Sequence, residues 1–105
     1  MNSVTVVVEF DLPAPVPADQ AAEIFKSTAP KYQGIPGLIR KYYCAGEGGK
    51  TAGGIYLWET RAQAEAFYDE AWHDMVRERY KSEPRLRIFD TPVIVDNTTG
   101  DIQGI

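Results

Sequence analysis

The sequence predicts an α+β fold of the ferredoxin-like kind, β-α-β-β-α-β, with two helical regions covering one face of a four-stranded antiparallel sheet. Three observations carry that prediction. Four segments have strand character and two have helix character, and they follow one another in that order. The second and third strands are joined by Gly46-Glu47-Gly48-Gly49-Lys50, a glycine-rich loop of hairpin length. The chain has 105 residues, enough for one domain and not two, so residues 1–105 are read as a single domain.

Each element has its own warrant. Val4, Val6, Val8, Phe10 and Leu12 alternate with Thr5, Val7, Glu9 and Asp11, the period of a strand. Pro13, Pro15 and Pro17 end it and stiffen the connection. Ala18 to Ser27 is helical, with Ala21, Ile24 and Phe25 on one face and Asp19 and Glu23 near the positive end of the dipole. Pro30 ends or kinks this helix, and Tyr32 to Gly37 turns the chain into a second strand, Leu38 to Ala45. The third strand, Thr51 to Glu59, carries β-branched and aromatic residues around Gly53-Gly54, which suits a backbone that another group approaches closely.

Thr60 is placed to cap a second helix, in which Ala62, Ala64 and Ala66 favour helical backbone. The apolar pattern shifts phase around Asp69 to Ala71, which predicts a break followed by a shorter helix, Trp72 to Tyr80. Pro84 precedes a fourth strand, Arg85 to Val95, in which Pro92 marks a bulge, bend or edge. Residues 97–105 read as a flexible tail, or one ordered by crossing onto a partner. Several strands are apolar on both alternating sets, as in Val6 and Val8 beside Val7, or Ile55 and Leu57 beside Tyr56 and Trp58. A sheet wetted on one side is polar on one set, so this pattern predicts sheet-to-sheet dimerisation.

Composition narrows the function. The net charge is −4, and the basic runs Arg77 to Lys81 and Arg85 to Arg87 are interrupted by, or adjoin, Glu78 and Glu83. That arrangement predicts a salt-bridged face and excludes nucleic acid as the expected partner. No apolar run approaches the ~20 residues a bilayer span needs, and the start lacks a secretory pattern, so no membrane partner and a cytoplasmic location are expected. One cysteine, Cys44, rules out an internal disulfide; in its strand beside two tyrosines it reads as a buried structural thiol. Lys50-Thr51 opens a strand and not a helix, so the glycine-rich loop reads as a hairpin turn and not as a phosphate cradle.

The chemistry-bearing residues are few. His73 is the single histidine; it reads as a surface residue or, functionally, as a proton acceptor near a pocket mouth. No metal site and no cofactor are expected. The aromatic set is more suggestive. Tyr32, Tyr42, Tyr43, Tyr56, Trp58, Phe67, Tyr68, Trp72 and Tyr80 come from both inner strands, both helical regions and the turn before the second strand. Converging between helices and sheet, they form either plain core and interface or a wall for a flat hydrophobic ligand with hydroxyl or carbonyl groups. Arg40, among them, serves either as an interface or surface ion pair or as the stabiliser of a substrate anion.

The runs Gly37-Leu38-Ile39-Arg40-Lys41-Tyr42-Tyr43 and Ala52-Gly53-Gly54-Ile55-Tyr56-Leu57-Trp58-Glu59-Thr60 resemble the YdhR-like branch of the antibiotic-biosynthesis-monooxygenase superfamily. The resemblance extends from the first strand to Val95. It implies a homodimeric α/β barrel with one pocket per subunit, between helices and sheet. Its relatives include cofactor-free monooxygenases, in which an electron-rich substrate anion itself reduces dioxygen while the protein supplies desolvation, orientation and anion stabilisation. They also include haem-degrading enzymes. The Asn, Trp and His of those enzymes meet Glu9, Phe67 and, loosely, His73 here, so haem degradation is not implied.

The expected function is therefore a cofactor-independent monooxygenase or oxidase acting on a small aromatic or quinol-like compound. Tyr43, Tyr56, Trp58, Phe67 and Trp72 are the expected substrate-binding residues. Arg40 is expected to stabilise the substrate anion, and His73 or Tyr32 to move a proton. Strand alternation sends Tyr42 and Tyr43 to opposite faces, with Tyr43 assigned to the pocket. The alternatives are a non-catalytic small-molecule-binding or stress-related barrel, and a cofactor-free isomerase or decarboxylase.

Overall fold

A computed structural model describes residues 2–104. Its elements follow the expected order: β1 Val4–Asp11, α1 Ala18–Thr28, β2 Leu38–Ala45, β3 Thr51–Trp58, α2 Arg61–Phe67, α3 Glu70–Tyr80 and β4 Arg85–Asp90, followed by β5 Val93–Asp96 and β6 Asp101–Gly104. The main sheet is antiparallel in the order β2-β3-β1-β4. Pro30 sits in a 3-10 turn, Ala29–Tyr32, that ends α1. The glycine-rich loop closes the β2–β3 hairpin, where Gly48 and Gly49 adopt the left-handed backbone that the turn requires.

Alternation along the strands separates two faces. Val4, Val6, Val8 and Phe10 of β1 point into the core with Tyr56 and Trp58 of β3, against Ala64 of α2 and Trp72 and Val76 of α3. The helical region breaks at Tyr68–Asp69, where the expected phase shift fell. Thr60 caps α2 by accepting from the Gln63 amide, and Asp69 caps α3 by accepting from the Trp72 amide.

Among the described residues, no helix lies over the other face of the sheet. The row Tyr42–Ile55–Val7–Arg87 runs across all four strands, beside the row Arg40–Leu57–Thr5–Phe89. Tyr42 is 54% exposed, Phe89 46% and Ile55 38%. The expected salt-bridged face is present too: Arg77 meets Glu70, Asp74 and Glu83, while Arg85 meets Glu9 and Asp11.

Two expectations are corrected. Cys44 is exposed and not buried, because Tyr43 points inward and the pleat turns its neighbour outward. The fourth strand does not run from Arg85 to Val95 in one piece. It stops at Asp90, and Thr91-Pro92 redirects the chain into a separate hairpin. That hairpin, β5 paired with β6 through Asp96↔Asp101, takes in most of the segment expected to be a flexible or swapped tail. Met1 and Ile105 lie outside the described residues.

Candidate functional site

A cavity of about 900 Å³ lies between the sheet and the layer formed by α1, the 3-10 turn and α3. Its floor is built from the inward-facing residues of β1, β2 and β3, and Gly54 is what keeps the floor low. A Cβ there would sit 3.3 Å from both Lys41 Cε and a Tyr56 ring carbon, and 2.9 Å from the Tyr42 carbonyl oxygen. The sequence anticipated a close approach at Gly53-Gly54; the approaching groups are Lys41 and Tyr56 on the cavity side.

Aromatic rings form the wall. Tyr32, Tyr43, Tyr56, Phe67 and Trp72 all line the cavity. Tyr43 is stacked on Phe25 at 4.8 Å, and its hydroxyl is tied to Thr28 at 2.8 Å. Tyr32 lies within about 6 Å of the rings of Tyr43, Tyr56 and Phe67, so the 3-10 turn brings it to the middle of the group.

The expected site residues divide by position. Tyr32, Tyr43, Tyr56, Phe67 and Trp72 come together around this one space. Trp58 is fully buried behind it, where its indole N–H donates to the Tyr68 hydroxyl at 3.1 Å, so it supports the wall without lining it. His73 also lies outside the lining, packed edge-on to Trp72. Arg40 is on the opposite face of the sheet, where it is exposed and donates to the Tyr42 hydroxyl. The reason is strand parity: Arg40 and Tyr42 are two residues apart and share a face, so Arg40 cannot share one with Tyr43.

The same parity brings in a residue that the sequence reading missed. Lys41 is two residues before Tyr43 and points into the cavity with it. Its Nζ lies 3.4 Å from the centre of the Tyr32 ring, 3.7 Å from that of Tyr43 and 4.7 Å from that of Tyr56. The signal was available, since assigning Tyr43 to the pocket assigns Lys41 as well.

Electrostatics set Lys41 apart. Burial disfavours its ammonium and lowers its pKa to about 7, while the three ring faces attract the cation and oppose that trend. The tyrosines shift the other way. Burial raises the pKa of Tyr43, Tyr56 and Tyr80 in the wall, and of Tyr68 nearby, so their phenols stay protonated at neutral pH. Among the described residues, no group of three or more His, Cys, Asp or Glu side chains is arranged to hold a metal ion. No helix among them is long and apolar enough to cross a membrane.

Comparison with known proteins places this geometry. The sequence model of the family described as "Putative mono-oxygenase ydhR" matches residues 6–93. No curated protein matches the chain. Among solved structures, the chain is similar to a monooxygenase from the gene ActVA-Orf6 of Streptomyces coelicolor, in complex with nanaomycin D. The two share 16% identity and a TM-score of 0.66, covering 90% of this chain and 92% of that one. It is also similar to SnoaB, a cofactor-independent oxygenase from Streptomyces nogalater, at 16% identity and a TM-score of 0.64, over 92% of this chain and 100% of that one. A third similar structure is NE2512, a protein of unknown function from Nitrosomonas europaea, at 17% identity and a TM-score of 0.64, over 87% and 90%. At such identities the likeness speaks for the fold.

Proposed function

Because the chain belongs to the ydhR family, we propose that it is a cofactor-independent monooxygenase acting on a small, planar, electron-rich aromatic or quinol-like compound. One observation carries this reading: a cavity of about 900 Å³ walled by eight aromatic side chains, Tyr32, Tyr43, Tyr56, Phe67 and Trp72 among them, drawn from strands and helices alike. Such a space suits a flat ligand of two or three fused rings, held by stacking and oriented by a few polar tips.

The reaction needs no redox group from the protein if the substrate supplies the electrons. For a methylene activated between aromatic rings, dioxygen places one atom on the carbon as a carbonyl. The other atom leaves as water with the two hydrogens of that carbon. The barrier falls when the substrate is converted to its anion, kept out of bulk water and held still. The aromatic wall supports desolvation and orientation. Arg40 is on the far face of the sheet and His73 is outside the lining, so neither is placed to meet such a substrate in this cavity. Tyr32 keeps its proposed place at the substrate.

The uncovered sheet face supports the homodimer as the working form. Tyr42, Ile55 and Phe89 form an exposed apolar patch across the strands, of the kind that a second copy of the chain would bury.

The test is oxygen uptake by purified, metal-stripped protein with a panel of anthrones, hydroquinones and catechols and no added cofactor. Uptake above the spontaneous rate, falling at least tenfold in Trp72→Ala, is the expected result. Binding without turnover would instead favour a small-molecule-binding barrel. Product formation without oxygen consumption would favour an isomerase or decarboxylase.

A further inference from the structure

We infer that Lys41 is the proton acceptor of the cavity: its neutral amine takes the hydroxyl proton of a phenolic or enolic ligand, and the ammonium so formed holds the oxyanion. The inference rests on the aromatic-ligand reading above and narrows the ligand class to planar compounds bearing an ionisable hydroxyl.

Position comes first. Lys41 rises into the cavity from β2, the edge strand of the sheet, and Gly54 on the neighbouring strand leaves the space through which its side chain runs. Its Nζ lies among the rings of Tyr32, Tyr43 and Tyr56, so a ligand hydroxyl brought against that part of the aromatic wall would meet the amine.

Pairing comes second. Lys26, Arg61, Arg77 and Arg85 each meet a carboxylate within 4 Å; among the described residues Lys41 has no such partner, a lack it shares with other basic residues but bears away from water, among three rings. A buried amine without a carboxylate is a costly arrangement, and a ligand oxyanion would complete it.

The groups facing Lys41 set its proton chemistry. From the 3-10 turn and the two strands these are the three tyrosines, and α3 adds Asp74, Glu78 and Arg79 around the cavity, with Lys31 and Lys81 also in its lining. The tyrosines in contact with the amine cannot act as the base where burial keeps the phenol protonated, as at Tyr43 and Tyr56. Burial leaves the Lys41 amine able to exchange a proton near neutral pH, where an ordinary lysine is fully charged. In the step itself the ligand O–H bond breaks and an N–H bond forms. An uncharged pair becomes an ammonium–oxyanion pair in the same low-dielectric space, and no electron is transferred.

The test uses two chromophoric probes of nearly the same shape: p-nitrophenol, which turns yellow when ionised, and p-nitroanisole, which has no proton to give. Both are titrated at pH 7, where the Lys41 amine is partly neutral, into the wild type, Lys41→Met and Lys41→Arg, with circular dichroism verifying that each variant is folded. The expected result is that p-nitrophenol gains yellow phenolate colour on binding the wild type, and binds at least tenfold more weakly, without that gain, to Lys41→Met. Lys41→Arg should keep the colour, since a fixed cation still holds the anion. With any compound that is turned over, Lys41→Arg should lose at least tenfold in rate, because arginine does not take up a proton.

Binding of p-nitrophenol without a gain of colour, or an equal gain in Lys41→Met, would overturn the role of Lys41 and leave the aromatic cavity intact. Failure of the wild type to bind either probe would overturn both readings together.

Discussion

At the scale of single residues, the pull of one amine against its surroundings leaves a mark on stability. Lys41 has a folded pKa lowered to about 7 from the usual 10.5. Below about pH 7 the folded protein bears the full cost of the buried ammonium. Between the two values the unfolded chain binds more protons than the folded one, so stability rises with pH across that window. The buried tyrosines act in the opposite sense above about pH 10, where the unfolded chain gives up protons that the folded one keeps. Wild-type stability is therefore expected to climb by on the order of 2 kcal/mol from pH 7 to 10, after the rings' attraction for the cation is set against burial, and then to fall. Urea melts across that range are the measurement, and Lys41→Met should be more stable than wild type at pH 6 and lack the climb. Lys41 was readable from alternation once Tyr43 had been assigned inward. Arg40 stands among the same aromatics in the sequence, but parity turns its charge to the other face.

At the scale of elements, most boundaries were legible because local chemistry enforces them. Thr60 and Asp69 are caps whose side-chain oxygens satisfy the first amides of α2 and α3, and the phase shift between them marks a true break. The end of α3 is less well made. Lys81 closes it with φ 55°, a left-handed backbone that glycine adopts freely and lysine does not. Lys81→Gly is expected to stabilise the protein by about 0.5–1 kcal/mol, readable as a rise of several degrees in the melting temperature. An unchanged or lower value would mean that the Lys81 side chain contributes more at the cavity rim than its backbone costs. The division of Arg85 to Val95 into two strands was only half legible. Pro92 announced a disturbance, but a bulge, a bend and a change of sheet share the same sequence signature. The pairing of β5 with β6 depends on tertiary placement that the turn residues do not specify.

At the scale of the whole molecule, the sheet is finished on one side only. Helices and cavity occupy one face; the other presents Tyr42, Ile55 and Phe89, with Val93, Val95 and Ile102 exposed on the β5–β6 hairpin. A homodimer formed through the open face is expected in sedimentation equilibrium at micromolar concentration. Ile55→Glu, which places a charge near the centre of that face, should shift it to monomer. A wild type that stays monomeric to hundreds of micromolar would show that the face has another role. The doubled apolar alternation in β1 and β3 made this face visible from sequence, whereas the identity of what covers it is written in no single segment.

Cys44 turns that architecture into a built-in reporter. It is the one thiol of the chain, and it stands exposed on edge strand β2, on the same uncovered face as Tyr42. A maleimide dye can therefore be attached at a single known point without mutagenesis. In the proposed homodimer, the speed of that attachment would be a clock for subunit exchange: fast where the face is bare, slowed in proportion to the time it spends covered.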